Sequence, residues 1–267
     1  MDWSHIAEIA SDALTLGLIF RLLSLRLQSA YRVFCVLLLF EVVTSGIALW
    51  LHFAHLVQVN YRIVWLSFAP VGWILYLATV YALLNALLKK FPGILRFSRT
   101  VLHISFLVAA LIGVLTARPE FVAYERTVPG STGSLNHLVA AGFVGERIFS
   151  MVAALAILVT LAFILWFPVQ LPRNLTVFSL GLVVYFGARA SLILAYSFFS
   201  SVNLNAVNMS VMFILTACLL YFLIFINKAG EEAPVRIGHS WNAAEQQRLI
   251  GQLEAMNAAL LRSARRS

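Results

Sequence analysis

The chain alternates between long apolar stretches and short polar connections. A helix that crosses a hydrocarbon core of ~30 Å needs about 20 predominantly apolar residues. Seven stretches come close to or exceed this length, at residues 4–25, 33–54, 62–88, 101–116, 147–167, 175–198 and 206–227. The pattern therefore predicts an all-α membrane protein with seven transmembrane helices.

The residues after the last apolar stretch follow a different pattern. A polar linker at 230–234 is followed by apolar residues that recur at helical spacing, namely Leu249, Leu253, Met256 and Leu260. A single apolar stripe of this kind is typical of an amphipathic helix, which we place within 241–262. The prediction is thus a seven-helix bundle at 1–228, followed by a linker and amphipathic helix at 229–267. This helix is expected to lie on the membrane surface, to self-associate or to dock on a cytoplasmic protein.

The basic residues predict the orientation of the bundle. Of the 19 lysines and arginines, fourteen fall on one side of the seven predicted spans, four fall on the other side, and Arg189 lies inside a span. Because cytoplasmic loops carry an excess of lysine and arginine, the amino terminus is predicted to lie outside and the carboxyl terminus in the cytoplasm. Basic residues beside spans also contact anionic lipid headgroups. The net charge of +8 therefore does not indicate nucleic-acid binding.

Composition excludes a soluble domain, because only 11% of the residues are charged, against about a quarter in soluble proteins. Cys35 and Cys218 both lie in predicted spans, so no structural disulfide is expected. The first stretch carries acidic residues and lacks a basic leading segment, which favours a first span over a cleaved signal peptide. The short loops favour a multi-pass protein of a prokaryotic inner membrane.

Four ionisable residues fall within the predicted spans, and each is costly enough at membrane depth to indicate function. They are Glu8, Asp12, Glu41 and Arg189. At ~1.5 Å per residue, Arg189 and Asp12 lie at nearly the same depth, and Glu41 is within reach if Arg189 turns towards the cytoplasm. We predict that they form a buried polar network or hold a ligand. A purely structural role, in which Arg189 pairs with an acid to align helices, remains open.

Other residues are weaker candidates. His52 and His55 have i, i+3 spacing and could share a metal with His5, although the expectation is that no metal or cofactor is bound. Deep aromatic residues could pack helices or line an apolar pocket: Trp73, Tyr76, Tyr185 and Phe186. The last span has no central lysine for a retinal Schiff base, and no hydrolase or nucleotide-binding motif occurs. The chain is therefore not expected to be an enzyme.

These features predict a receptor-like seven-helix protein of the sensor type. It is expected to bind a small apolar ligand or a lipid in the outer half of the bundle, with Asp12, Glu41 and Arg189 as polar anchors. The helix within 241–262 is expected to report to a cytoplasmic partner. Two alternatives remain open, a structural or accessory subunit of a larger membrane complex and, less favoured, a transporter.

Overall fold

The computed structural model describes residues 3–53, 59–89, 92–115, 133–166, 170–198, 204–236 and 242–266. Most of these residues are helical, which confirms the all-α class. The helices are α1 (Trp3–Ser24), α2 (Arg32–Phe53), α3 (Val59–Leu87), α4 (Pro92–Leu115), α5 (Gly133–Trp166), α6 (Arg173–Phe198), α7 (Leu204–Phe225), the short α8 (Ala229–Glu232) and α9 (Ala243–Arg266), with a 3₁₀ turn at Leu27–Ser29. Two short strands, β1 (Gln170–Pro172) and β2 (Pro234–Arg236), pair antiparallel.

Five of these helices are long and apolar enough to cross a membrane. Their apolar segments are Arg32–Leu51, Ile63–Leu87, His137–Ala162, Arg173–Tyr196 and Ala206–Phe225. In α4 the corresponding apolar segment is shorter, at Leu102–Gly113, and α1 carries charged residues along its length. Helices of this number and composition indicate an integral membrane protein.

Six of the long helices form a closed ring. Going around it, α1 packs against α2, α2 against α3, α3 against α5, α5 against α6, α6 against α7, and α7 against α1. Helix α4 packs mainly against α5, and α3 also touches α6 across the interior. This order brings α2, α3, α5 and α6 around one part of the interior, which is where the polar side chains meet.

Helix α5 begins earlier than the predicted span at 147–167, because its helical backbone starts at Gly133. A Cβ at Gly145 would lie only 2.6 Å from the Trp73 ring, so the missing side chain lets α3 approach α5 closely. With this earlier start, Glu146 and Arg147 lie in the interior of the helix and not at the edge of a span. Arg147, which the sequence pattern counted among the basic residues of the outer face, is fully buried.

Helix α9 packs against α4 of the same chain. The Asn257 side-chain oxygen accepts a hydrogen bond of 2.6 Å from the Gly93 backbone N–H. Leu253, in the predicted apolar stripe, is buried, whereas Met256 on the next turn is exposed. The stripe is therefore partly covered by the bundle itself, an arrangement that was not among the three expected for this helix.

Candidate functional site

Arg189 on α6 is the centre of a buried polar network. Its Nε donates a 2.5 Å hydrogen bond to Glu146 Oε1 on α5, and its Nη2 completes a salt bridge with the same carboxylate. The Arg189 side chain is 18% exposed and that of Glu146 only 9%, so the pair is largely buried between the helices. Since breaking a buried pair leaves an uncompensated charge, this contact joins α5 firmly to α6.

Two tyrosines extend the network from Arg189 to α2. The Arg189 Nη1 donates hydrogen bonds to the hydroxyl of Tyr185 and, at 2.9 Å, to that of Tyr76 on α3. Tyr76 in turn donates a 2.8 Å hydrogen bond to Glu41 Oε1 on α2. The guanidinium also lies 5.4 Å from the centre of the Tyr76 ring, within cation–π range. The network thus connects four helices, α2, α3, α5 and α6.

The structure brings together two of the four acidic and basic residues predicted for this network. Glu41 and Arg189 are linked through the Tyr76 hydroxyl. Asp12 instead accepts a 2.7 Å hydrogen bond from Ser45 Oγ and so joins α1 to α2. Equal depth is not sufficient for pairing, because α1 packs against α2 and α7 and not beside Arg189 on α6. The side chain of Glu8 lies outside the described residues.

Glu146 is the residue of the network that the sequence pattern missed. It precedes the predicted span at 147–167 by one residue and was therefore counted as part of a loop. The helical pattern that resumes near Leu135 predicted a continuation into this span, but the span itself was still started at 147, which left Glu146 outside it. Its neighbour Arg147 faces α4, where its Nη2 donates a 3.2 Å hydrogen bond to the Gly113 carbonyl. Adjacent charges on α5 thus serve two different helix contacts.

An apolar cavity of about 40 Å³ lies directly beside the network. Glu41, Tyr76 and Tyr185 line it together with apolar side chains from α2, α6 and α7, which are Phe34, Leu37, Leu38, Leu182, Phe186, Leu215, Cys218, Leu219 and Phe222. An apolar wall with a few convergent polar groups is the usual composition of a small-molecule site, but sites for drug-sized ligands measure about 300–1,000 Å³, so this cavity has room only for a very small molecule. The deep aromatic residues Tyr76, Tyr185 and Phe186 therefore combine packing with lining a pocket.

The cavity extends from the network towards the first residue of α2, Arg32, and the last residue of α7, Phe225, because its lining residues lie on these halves of the two helices. On the predicted orientation this is the cytoplasmic half, whereas the sequence pattern placed the ligand in the outer half. Phe34 and Phe222 line this end of the cavity with aromatic rings. The Phe34 ring lies 4.3 Å from that of Phe178 and 5.9 Å from that of Phe222, measured between centroids.

Beyond these rings, residues 226–232 fold across the end of the bundle, and we call this segment the end cap. The buried Asn174 on α6 donates to the Asn227 carbonyl at 2.7 Å and to Glu231 Oε2 at 3.2 Å, and it accepts a hydrogen bond from the Asn227 N–H at 3.3 Å. Arg21 Nε on α1 donates to the Ile226 carbonyl at 3.0 Å. The residues predicted to form a linker after 228 are thus held against the bundle.

Tyr31, which lies between the 3₁₀ turn and α2, also holds the end cap. Its hydroxyl donates a 3.0 Å hydrogen bond to Glu231 Oε2. Burial and the adjacent Glu231 carboxylate both raise the pKa of Tyr31 above its usual value. Tyr31 therefore remains a protonated donor throughout the physiological pH range.

The metal candidates lie where the structure does not describe the side chains. His5 and His52 belong to α1 and α2, but only their backbone is described, and His55 falls between the described segments. Among the described residues, no three histidine, cysteine or carboxylate side chains are grouped closely enough to hold a metal ion.

Comparison with protein-family models, with curated proteins and with solved structures finds no match for this chain. The site is therefore interpreted from its own geometry. It offers a guanidinium with its carboxylate, two tyrosine hydroxyls and the carboxylate of Glu41 at one end of an apolar space. Such a site can orient an apolar molecule by its single polar end.

Proposed function

We propose that this protein is a non-enzymatic seven-helix membrane protein of the sensor type, which binds a small, largely apolar ligand in the cavity. The observation that carries the proposal is the composition of this cavity. Its walls are apolar, and its polar groups, Glu41, Tyr76 and Tyr185, are gathered at the end that meets Arg189. Because the salt bridge to Glu146 holds Arg189 in place, these polar groups are preorganised for the polar end of a ligand.

The proposal includes α1 and α4 as transmembrane helices in addition to the five apolar ones. Both carry large apolar side chains that face away from the bundle. Examples are Phe20 on α1, which is 73% exposed, and Leu115 on α4, which is 72% exposed. Contiguous exposed apolar surface of this kind is uncommon on soluble proteins and typical of contact with lipid. At ~1.5 Å per residue, both helices exceed 30 Å in length.

The proposed topology has the amino terminus outside and the carboxyl terminus in the cytoplasm. The position of Arg147 inside α5 supports it, because this residue no longer counts among the basic residues of the outer side. Three then remain there, at Arg62, Arg118 and Arg126, against fourteen on the cytoplasmic side. The asymmetry that orients membrane proteins is therefore larger than the sequence pattern alone indicated.

Topology can be tested by labelling single cysteines in intact cells. On a Cys35→Ser/Cys218→Ser background, we expect a membrane-impermeant maleimide to label His137→Cys without cell lysis. We expect Gln28→Cys and Glu254→Cys, both at exposed positions, to be labelled only after lysis. Labelling of all three positions on the same side would contradict the seven-span topology.

The route from cavity to cytoplasm that we propose runs through the end cap. The cavity is lined by Leu215 and Phe222 of α7, and the end cap directly follows this helix. The Ile226 carbonyl is bound by Arg21 and the Asn227 carbonyl by Asn174. A ligand that displaces α7 would therefore change the contacts of the end cap and, through the following residues, the position of α9 at a cytoplasmic partner.

Ligand binding can be tested at Cys218, which lines the cavity and is buried. In a Cys35→Ser variant, the small reagent methyl methanethiosulfonate should modify Cys218 slowly, and a bound ligand should slow this reaction further because it occupies the same space. We expect alcohols small enough for a cavity of about 40 Å³, such as methanol and ethanol, to protect Cys218 in a saturable manner. Protection that only grows with the amount of alcohol, without saturation, would contradict a binding site.

A further inference from the structure

Helices α1 and α7 meet along a seam that ends beside the end cap. A Cβ added at Gly17 on α1 would lie 4.0 Å from the Leu223 side chain on α7. One turn further along, the Arg21 Nε donates its 3.0 Å hydrogen bond to the Ile226 carbonyl. These two contacts define what we call the α1–α7 seam. On the proposed topology, the Arg21 end of this seam faces the cytoplasmic leaflet.

Exposed apolar side chains flank the α1–α7 seam on the outside of the bundle. Phe20 follows Gly17 by three residues on α1. Leu220 and Ile224 are four residues apart on α7, on either side of Leu223 in the sequence. Residues at these spacings are neighbours on one helix face, and all three flanking side chains are exposed. In a bilayer, an apolar surface of this kind contacts lipid acyl chains.

Two exposed basic residues lie where the seam ends. Lys228, in the end cap, follows Ile226 by two residues, and Arg26 follows Arg21 by five. Both side chains are exposed, and among the described side chains no carboxylate forms a salt bridge with either. Together with Arg21, they place three cationic groups at the level of the lipid headgroups, where basic residues attract anionic lipids.

The backbone of Arg26 has an uncommon conformation for an arginine. Its φ of 56° and ψ of 28° lie in the left-handed region, which glycine adopts more readily than other residues. Residues held in such conformations are concentrated at functional sites. Since glycine would form this turn with less strain, the arginine indicates a role for its side chain.

The whole end of the bundle around the end cap is basic. Side chains at 21, 31 and 174 hold the end cap, and the two strands pair, so residues 21–32 and 170–174 lie beside residues 226–236. Together these three segments contain two acids, Glu231 and Glu232. They contain six basic residues, which are Arg21, Arg26, Arg32, Arg173, Lys228 and Arg236. An excess of basic groups on one surface attracts an anion.

We propose that one anionic phospholipid binds at the α1–α7 seam. Its phosphate lies between Arg26 and Lys228, beside Arg21, and its acyl chains lie along the exposed apolar flanks of the seam. Arginine and lysine form charge-assisted hydrogen bonds with phosphate oxygens. The apolar flanks favour a lipid over a soluble phosphate, which would leave them without contact. This site is separate from the cavity and does not depend on the ligand proposed there.

Lipid binding can be counted by native mass spectrometry of the full-length protein in a neutral detergent. The protein is titrated with phosphatidylglycerol, which is anionic, or with phosphatidylcholine, whose phosphate is balanced by its own choline group. We expect one phosphatidylglycerol to bind at a concentration about tenfold lower than phosphatidylcholine. Inorganic phosphate at the same concentration should not displace it.

Two charge-matched double variants assign the preference to the seam. Arg26→Gln/Lys228→Gln removes two exposed charges and leaves the Arg21 contact with Ile226 intact. We expect it to bind phosphatidylglycerol about fivefold more weakly for each charge removed, with phosphatidylcholine binding unchanged. Lys89→Gln/Arg248→Gln removes two exposed charges after α3 and on α9 and should keep the preference of the parent protein.

Three outcomes would overturn the lipid site. The first is equal binding of the two lipids to the parent protein, which decides even if a variant fails to fold. The second is an equal loss in both double variants, because attraction by the net charge of the protein would then be sufficient. The third is displacement of phosphatidylglycerol by inorganic phosphate at the same concentration, because the apolar flanks would then contribute nothing.

Discussion

Replacing Arg189 with leucine is expected to cause the largest loss of folded protein of any single change in the network. The variant leaves Glu146, which is 9% exposed in its side chain, without its salt-bridge partner, and it removes the donor to Tyr76 and Tyr185. Breaking a buried pair in this way costs about 3–5 kcal/mol, a large part of the stability of a typical protein. Monodisperse yield in detergent and the thermal unfolding midpoint measure the effect.

The partner of Arg189 can be identified by adding a second substitution to Arg189→Leu and measuring which one restores the folded yield. Arg189→Leu/Glu146→Leu replaces both members of the pair with apolar groups and should recover a substantial part of the yield. Arg189→Leu/Asp12→Leu is the matched control and should recover none, because Asp12 is bonded to Ser45. Recovery by the Asp12 substitution, at the level seen with Glu146, would show that the pair was assigned to the wrong acid.

The second large effect is expected at Asn174, which is fully buried and forms three hydrogen bonds with the end cap. Asn174→Leu preserves the side-chain size but leaves the Asn227 backbone and the Glu231 carboxylate with fewer partners. Because a buried polar group without a partner costs about 1–3 kcal/mol, we expect the end cap to open while the ring of helices stays folded. Faster amide hydrogen exchange at residues 226–236 is the measurement.

Thr176→Val provides the control on the same helix. Its hydroxyl makes a weak 3.5 Å contact with the Pro172 carbonyl one turn back, so its loss should leave exchange in the end cap nearly unchanged. Equal exchange rates in Asn174→Leu and the parent protein would show that Asn174 does not hold the end cap closed.

The network shows how far depth along a helix can predict contact. The depths of Glu41 and Arg189 indicated that both lie in the membrane interior, and the structure links them through Tyr76. The same reasoning made Asp12 level with Arg189, but it did not include the lateral order of the helices. Depth follows from counting residues at a constant rise. Lateral neighbours depend on which helix faces fit together, and this is not visible in a linear pattern.

The sequence pattern missed Glu146, the acid that pairs with Arg189, for a related reason. The predicted span was placed at 147–167, after Glu146, although the helix begins at Gly133. Close packing of Trp73 on Gly145 and the salt bridge to Arg189 stabilise the earlier part of α5. A charged residue lowers the local hydropathy equally in a solvent-exposed loop and in a buried ion pair. Hydropathy therefore cannot show which of these holds for Glu146, and only the folded structure shows its partner.

Apolar runs were sufficient to predict an all-helical membrane protein, and the helical spacing of Leu249, Leu253, Met256 and Leu260 predicted a separate helix after 241. The placement of lysine and arginine predicts the orientation. These signals are local, because each is read from the composition and spacing of residues within one segment. Only the tertiary structure decided four other features. They are the closed order of the helices, the pairing of Arg189 with Glu146, the cavity beside Glu41 and the docking of α9 on α4. They depend on side-chain fit between segments distant in the chain, since lipid contact alone does not distinguish one helix neighbour from another.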